Sequence, residues 1–186
     1  MDGELRGKRV AMLVCDGFEQ VELTEPRRAL REAGAEVSVV SPQNGSVRGW
    51  NHTDWGDRIP VDVALDDARA ADFDCLVLPG GVMNPDHLRR NPLALKLVRD
   101  VYDSGRLVAA ICHGPWTLID AGIAEGLRLT SYESIQTDLR NAGADWVDEE
   151  VVVDQNLLTS RKPDDLPAFN RRLIEEIANG RHLRPA

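Results

Sequence analysis

Short, unbroken apolar runs alternate along the chain with segments in which apolar residues recur at helical spacing. Val10 to Cys15 is such a run, closed by Asp16-Gly17, and reads as a strand buried on both faces that ends in a turn. Glu19 to Ala33 carries Val21, Ala29, Leu30 and Ala33 at helical positions and stops at Gly34. Pro26 is expected either to kink that helix or to sit in its first turn. Glu36 to Val40 reads as a second strand, followed by the turn cluster Ser41 to Gly45. Residues 45–60, which include Trp50, His52 and Trp55, have no clear period and read as a hairpin or excursion at the sheet edge.

The alternation resumes with the strand Cys75 to Leu78, which ends in Pro79-Gly80-Gly81, and the amphipathic helix Pro92 to Ser104, stopped by Gly105. Leu107 to Ile111 is a further apolar run that leads at once into Cys112-His113-Gly114-Pro115 and a helical segment over 117–121. Strands at 127–131, 151–153 and 157–160, a short helix around 138–142 and a C-terminal helix over 166–178 complete the pattern. Strands and helices in this order predict a doubly wound α/β fold with a mostly parallel sheet, in which ligands bind beyond the carboxyl ends of the strands. A length of 186 residues without internal repeats suits a single domain over 1–186.

Composition then narrows the classes. The formal charge of -9 argues against a nucleic-acid footprint, which needs a basic face. The cysteines Cys15, Cys75 and Cys112 are three, widely spaced and without a Cys-x-x-Cys pair or a Cys/His ligand cluster, so disulfides and metal sites are disfavoured. The polar stretch Met1 to Arg9 lacks the apolar core of a secretory signal, and a cytoplasmic location is expected.

Two strand ends carry candidate chemistry. Cys112 sits where a buried strand meets a helix, on a tight turn like the nucleophile elbow of serine hydrolases, closed by the small Gly114. Unpaired amides there favour a thiolate, whereas a lone cysteine otherwise serves as a small buried hydrophobe. Cys15 and Cys75 fall in apolar strands and suit that second role. His113 is either a general acid and base or a hydrogen-bonding residue at the helix start. Gly80 and Gly81 leave amides free that, with the amide of His113, form either an oxyanion hole or a simple turn. Glu19, after the first strand, lies at the same end of the sheet, as a proton partner of the thiol or as an ordinary helix N-terminal acid.

Four segments together, Ala110 to Pro115, Leu78 to Gly81, Asp16 to Glu19 and Thr159 to Pro167, resemble the PfpI family of cysteine peptidases and protein deglycases within the ThiJ/PfpI superfamily. The resemblance runs along nearly the whole chain. It implies a flavodoxin-like three-layer sandwich with Cys112 as nucleophile and Glu19 hydrogen-bonded to its sulfur. It also implies a homodimer or higher oligomer in which Asp86, near the interface, supplies an acid to the histidine of a neighbouring subunit. No cofactor or metal is implied, and His52 is a further candidate for the pocket. The implied activity is stress-related hydrolysis of peptide bonds or of glyoxal and methylglyoxal adducts of proteins, with glyoxalase turnover as a variant. The alternative is a redox sensor or holdase that uses the same cysteine. An amidotransferase wants a late His-Glu pair, and the late histidine, in Arg181-His182-Leu183-Arg184, has no such partner.

Overall fold

The computed structural model describes residues 3–180, so the Arg181 to Arg184 segment lies outside the described residues. In chain order the elements are β1 (Arg9–Leu13), α1 (Gln20–Glu32), β2 (Glu36–Ser41), β3 (Ser46–Asn51), β4 (Asp54–Pro60), β5 (Val63–Ala64) and β6 (Cys75–Leu78). There follow α2 (Met83–Leu88), α3 (Pro92–Asp103), β7 (Leu107–Ile111), α4 (Pro115–Asp120) and β8 (Arg128–Leu129). The chain continues through α5 (Gln136–Asn141), β9 (Asp145–Trp146), β10 (Val152–Asp154), β11 (Leu157–Ser160) and α6 (Leu166–Asn179).

Seven strands form one sheet in the order β10-β11-β7-β6-β1-β2-β5, parallel except for β10 against β11. Strands β6 and β7 are buried along their whole length because both faces are covered, which is why they read as unbroken apolar runs. Their period-two alternation sorts side chains into two cores. Leu76, Leu78, Val108 and Ala110 pack with α3, α4 and α5, while Cys75, Val77, Leu107 and Ile111 pack with α1 and α6. The result is the flavodoxin-like three-layer arrangement.

Local chemistry sets the helix boundaries. The side chain of Asn91 accepts from the amides of Leu93 and Ala94, and Pro92 occupies the first turn of α3. Pro26 lies inside α1, beyond its first turn, and the helix continues through it to Glu32. Residues 46–60 form the hairpin β3-β4, a separate two-stranded sheet rather than an extension of the main one. That hairpin is tied to the loop after β1 by the amide of Gly17 donating to Arg48 and the amide of Trp50 donating to Phe18. The strand expected over 127–131 is reduced to β8, two residues paired with β9. Among the described residues, no helix is long and apolar enough to cross a membrane.

Candidate active site

The carboxyl ends of β1, β6 and β7 converge, and the turns that follow them build the site. Cys112 follows β7 with φ of 63°, in the left-handed region that a non-glycine residue adopts only when its surroundings hold it there. Its amide donates to Ser160 at 3.1 Å and its carbonyl accepts from Tyr132 at 2.9 Å, so both backbone groups are pinned. A Cβ at Gly114 would lie 2.5 Å from the Leu78 carbonyl oxygen and 2.9 Å from that of Ile111, so only glycine fits there. The strand end, the positive φ and the glycine together make a sharp strand-to-helix turn that carries a buried thiol, the backbone arrangement expected of an elbow.

The carboxyl beside that thiol belongs to Glu22, one helical turn after Glu19. Glu22 is fully buried, and its Oε1 accepts the amide of Gly80 at 3.0 Å. Its Oε2 is buried as well, and the carboxyl also interacts with the Cys112 side chain and the Gly81 amide. A Cβ built on Gly80 would meet the Cys112 Cβ and Glu22 Oε1, each at 2.7 Å, which shows how closely the two acids share this space. Glu19, expected on the sulfur, instead stands at the residue before α1, makes no capping hydrogen bond, and turns its carboxyl toward the hairpin. Its Oε1 accepts the His52 amide at 3.2 Å and lies 3.7 Å from His52 Nδ1. The reason is geometric: the residue before the helix points outward at the sheet rim, while a residue on the inward face of the first turn reaches the elbow.

Burial pushes the Glu22 carboxyl up to about 8, with the charge of Glu19 acting in the same direction. Burial also pushes the Cys112 thiol up, and a negative Glu22 would add to that, while the amides of Gly81 and His113 pull it down. Two acids in one dry space cannot both ionise near neutral pH, so they titrate as a pair. With Glu22 protonated its repulsion disappears, and the Gly81 and His113 amides are left facing the sulfur.

The amide of Gly80, expected among the free donors, is already taken by Glu22, so the donors at the sulfur are those of Gly81 and His113. Gly81 has φ of 74°, and a Cβ there would lie 2.5 Å from the Gly17 carbonyl oxygen. This glycine is therefore required both by its conformation and by the close approach of the loop after β1.

His113 reaches back to the cysteine, with Nδ1 at 3.2 Å from Cys112 Sγ. Adjacent side chains usually diverge, and it is the left-handed conformation of Cys112 that brings this pair together. The ring is buried, stacked on Tyr132 with centroids 4.9 Å apart and edge-on to Trp116 at 5.2 Å. Burial lowers its pKa, which favours the neutral ring. Its Nε2 lies 3.2 Å from Ser134 Oγ. Sequence reasoning missed Glu22, Tyr132 and Ser134 as members of this site.

The remaining expected residues lie outside this cluster. Asp86 is exposed in the first turn of α2. His52 sits at the tip of the β3-β4 hairpin with its side chain 68% exposed. Among the described residues, no three His, Cys, Asp or Glu side chains gather in a group that could hold a metal ion.

A family model for the DJ-1/PfpI family matches residues 8–176, nearly the whole described chain. The chain belongs to the DJ-1/PfpI family. Among its relatives, General stress protein 18 of Bacillus subtilis is 44% identical over 170 residues, covering 90% of this chain and 96% of the relative. A deglycase of Pyrococcus abyssi is 44% identical over 167 residues, covering 90% of this chain and 98% of that one. A second Bacillus subtilis relative, YraA, named as a candidate cysteine protease, is 43% identical over 167 residues, with 90% and 96% covered. The solved structure of Drosophila melanogaster DJ-1beta superposes with a TM-score of 0.84 at 34% identity, covering 92% of this chain and 90% of that one. In this DJ-1/PfpI chain Cys112 and His113, at the end of β7, meet the buried Glu22 of α1 around the turn at Gly80.

Proposed function

We propose that this DJ-1/PfpI protein is a cysteine-dependent hydrolase that acts on glyoxal or methylglyoxal adducts of proteins, or on peptide bonds, through the Cys112 thiolate. The observation that carries this reading is the buried Cys112 with φ of 63° and Sγ 3.2 Å from His113 Nδ1. A strained elbow that aims a nucleophile at an adjacent base costs stability and is retained where chemistry uses it. The names of the Pyrococcus abyssi and YraA relatives support the two substrate classes.

In this reading protonated Glu22 donates to the sulfur and so favours the thiolate, while the amides of Gly81 and His113 stabilise the oxyanion formed when sulfur adds to a carbonyl carbon. With a methylglyoxal adduct, the amine leaves, one water is consumed, and the three-carbon fragment departs as a 2-hydroxy acid. With a peptide, the acyl group passes to sulfur, the amine leaves with a proton from His113, and water then releases the acid.

The same reading takes the chain as a homodimer or higher oligomer with Asp86 near the interface. It is supported by the exposure of Asp86 beside Val82 and Met83, two of the exposed large apolar residues. A cytoplasmic location goes with it, supported by cysteines that are all free thiols among the described residues.

The test is product analysis with a methylglyoxal-treated peptide, free methylglyoxal and unmodified casein, using the protein and its Cys112→Ala variant. Cys112-dependent release of a 2-hydroxy acid supports deglycation, and Cys112-dependent peptide fragments support proteolysis. Equal rates with both proteins would refute the hydrolase.

A further inference from the structure

We infer that Ser134 is a positioning residue for His113, its hydroxyl holding Nε2 so that the Nδ1 lone pair is presented to Cys112 from within a single chain. The catalytic meaning of this rests on the hydrolase reading above; the tautomer it specifies does not.

Both ring nitrogens of His113 are engaged at 3.2 Å, Nδ1 with Cys112 Sγ and Nε2 with Ser134 Oγ. The ring cannot easily turn away from either. Tyr132 stacks on one face, and Trp116 packs edge-on, itself anchored by Nε1 donating to Asp138 Oδ2 at 2.8 Å. Tyr132, Ser134 and Asp138 belong to one short stretch that is tied to the elbow by the Tyr132 amide donating to the Cys112 carbonyl. One segment therefore supplies the stacking face, the Nε2 partner and the anchor of the edge contact.

A neutral imidazole carries one proton, and the partner of one nitrogen decides which nitrogen holds it. If Nε2–H donates to Ser134 Oγ, then Nδ1 is a bare lone pair facing the thiol. On proton transfer the S–H bond breaks and an Nδ1–H bond forms. The imidazolium still donates from Nε2 to the same oxygen, so no partner has to move. A hydroxyl differs here from a carboxylate. It fixes the tautomer without itself adding charge to the buried ring.

The experiment is nitrogen NMR of protein labelled with 15N in its histidine rings, with the His113 signals assigned by their loss in His113→Gln, compared among wild type, Ser134→Ala and Ser134→Thr. The expected spectrum of the wild type is one dominant Nε2–H tautomer. Ser134→Ala is expected to give a mixed population, and Ser134→Thr to restore the wild-type pattern. In parallel, kcat on whichever substrate the wild type turns over is expected to fall roughly tenfold in Ser134→Ala with KM unchanged, and to recover in Ser134→Thr. Ser134 is exposed, so the alanine variant is expected to keep its fold, checked by circular dichroism. Identical ring spectra for wild type and Ser134→Ala, or an Nδ1–H tautomer in the wild type, would overturn the inference. Absence of any Cys112-dependent turnover would instead sink the hydrolase reading and leave the spectra to decide the role of Ser134.

Discussion

Glu22 Oε1 accepts the Gly80 amide at 3.0 Å, and this hydrogen bond holds the carboxyl against the turn that carries Cys112. The carboxyl is pushed up to about 8, against an ordinary 4.5, chiefly because it is buried. A group whose folded value lies above its unfolded value binds protons more tightly when folded. Its contribution to stability is therefore present below the unfolded value and lost as pH rises through the folded one. Stability measured by urea denaturation is expected to fall as pH rises from about 4.5 to about 8. Glu22→Gln is expected to flatten that slope while lowering Cys112-dependent turnover by roughly tenfold, because an amide is a weaker hydrogen-bond donor to the thiolate than a carboxylic acid.

Thiol alkylation should single out one cysteine. Burial pushes Cys15 up to about 12 and Cys75 further still, and neither has an amide pair or a histidine aimed at its sulfur. Under native conditions iodoacetamide is expected to label Cys112 first, with the other two labelled only after unfolding; peptide mapping by mass spectrometry reads the order.

Gly81 and Gly45 both have positive φ, 74° and 79°, but their surroundings differ. A Cβ on Gly81 would meet the Gly17 carbonyl oxygen at 2.5 Å, whereas nothing lies within 4 Å of one on Gly45. Gly45→Ala is expected to cost about 1 kcal/mol from backbone strain alone. Gly81→Ala is expected to cost roughly 3 kcal/mol and to abolish turnover, since the loop after β1 must move away from the site. Denaturation midpoints of the two variants provide the comparison.

Asp86→Ala is expected to lower turnover without unfolding the chain, since the side chain is exposed and packs into no core. If Asp86 acts at an interface, dilution should lower the activity of the wild type more steeply than that of the variant. Sedimentation over the same concentration range reads the oligomer directly.

The sheet was readable from the sequence because its central strands, such as Leu107 to Ile111, are buried on both faces and need no neighbours to be recognised. Helix α2 was not, because Asn84-Pro85-Asp86 carries turn signals and six residues are too few to show a period. Strands β5 and β9 are two residues each, fixed by tertiary pairing rather than by any local preference. Cys112 and His113 announced themselves by their position at a strand end. Glu22 did not, although a signal was present: Glu22, Pro26 and Leu30 recur at four-residue spacing and form the buried stripe of α1. Ser134 left no trace, since an isolated serine after a tyrosine carries no pattern, and only the fold brings it to the histidine ring.

Whether Cys112 is the nucleophile is decided by the rate at which a methylglyoxal-treated peptide is turned over by the wild type and by Cys112→Ala at equal concentration. Turnover by the wild type and a loss of roughly a thousandfold or more in the variant are expected when a covalent nucleophile is removed. A variant that retains the wild-type rate would contradict that role.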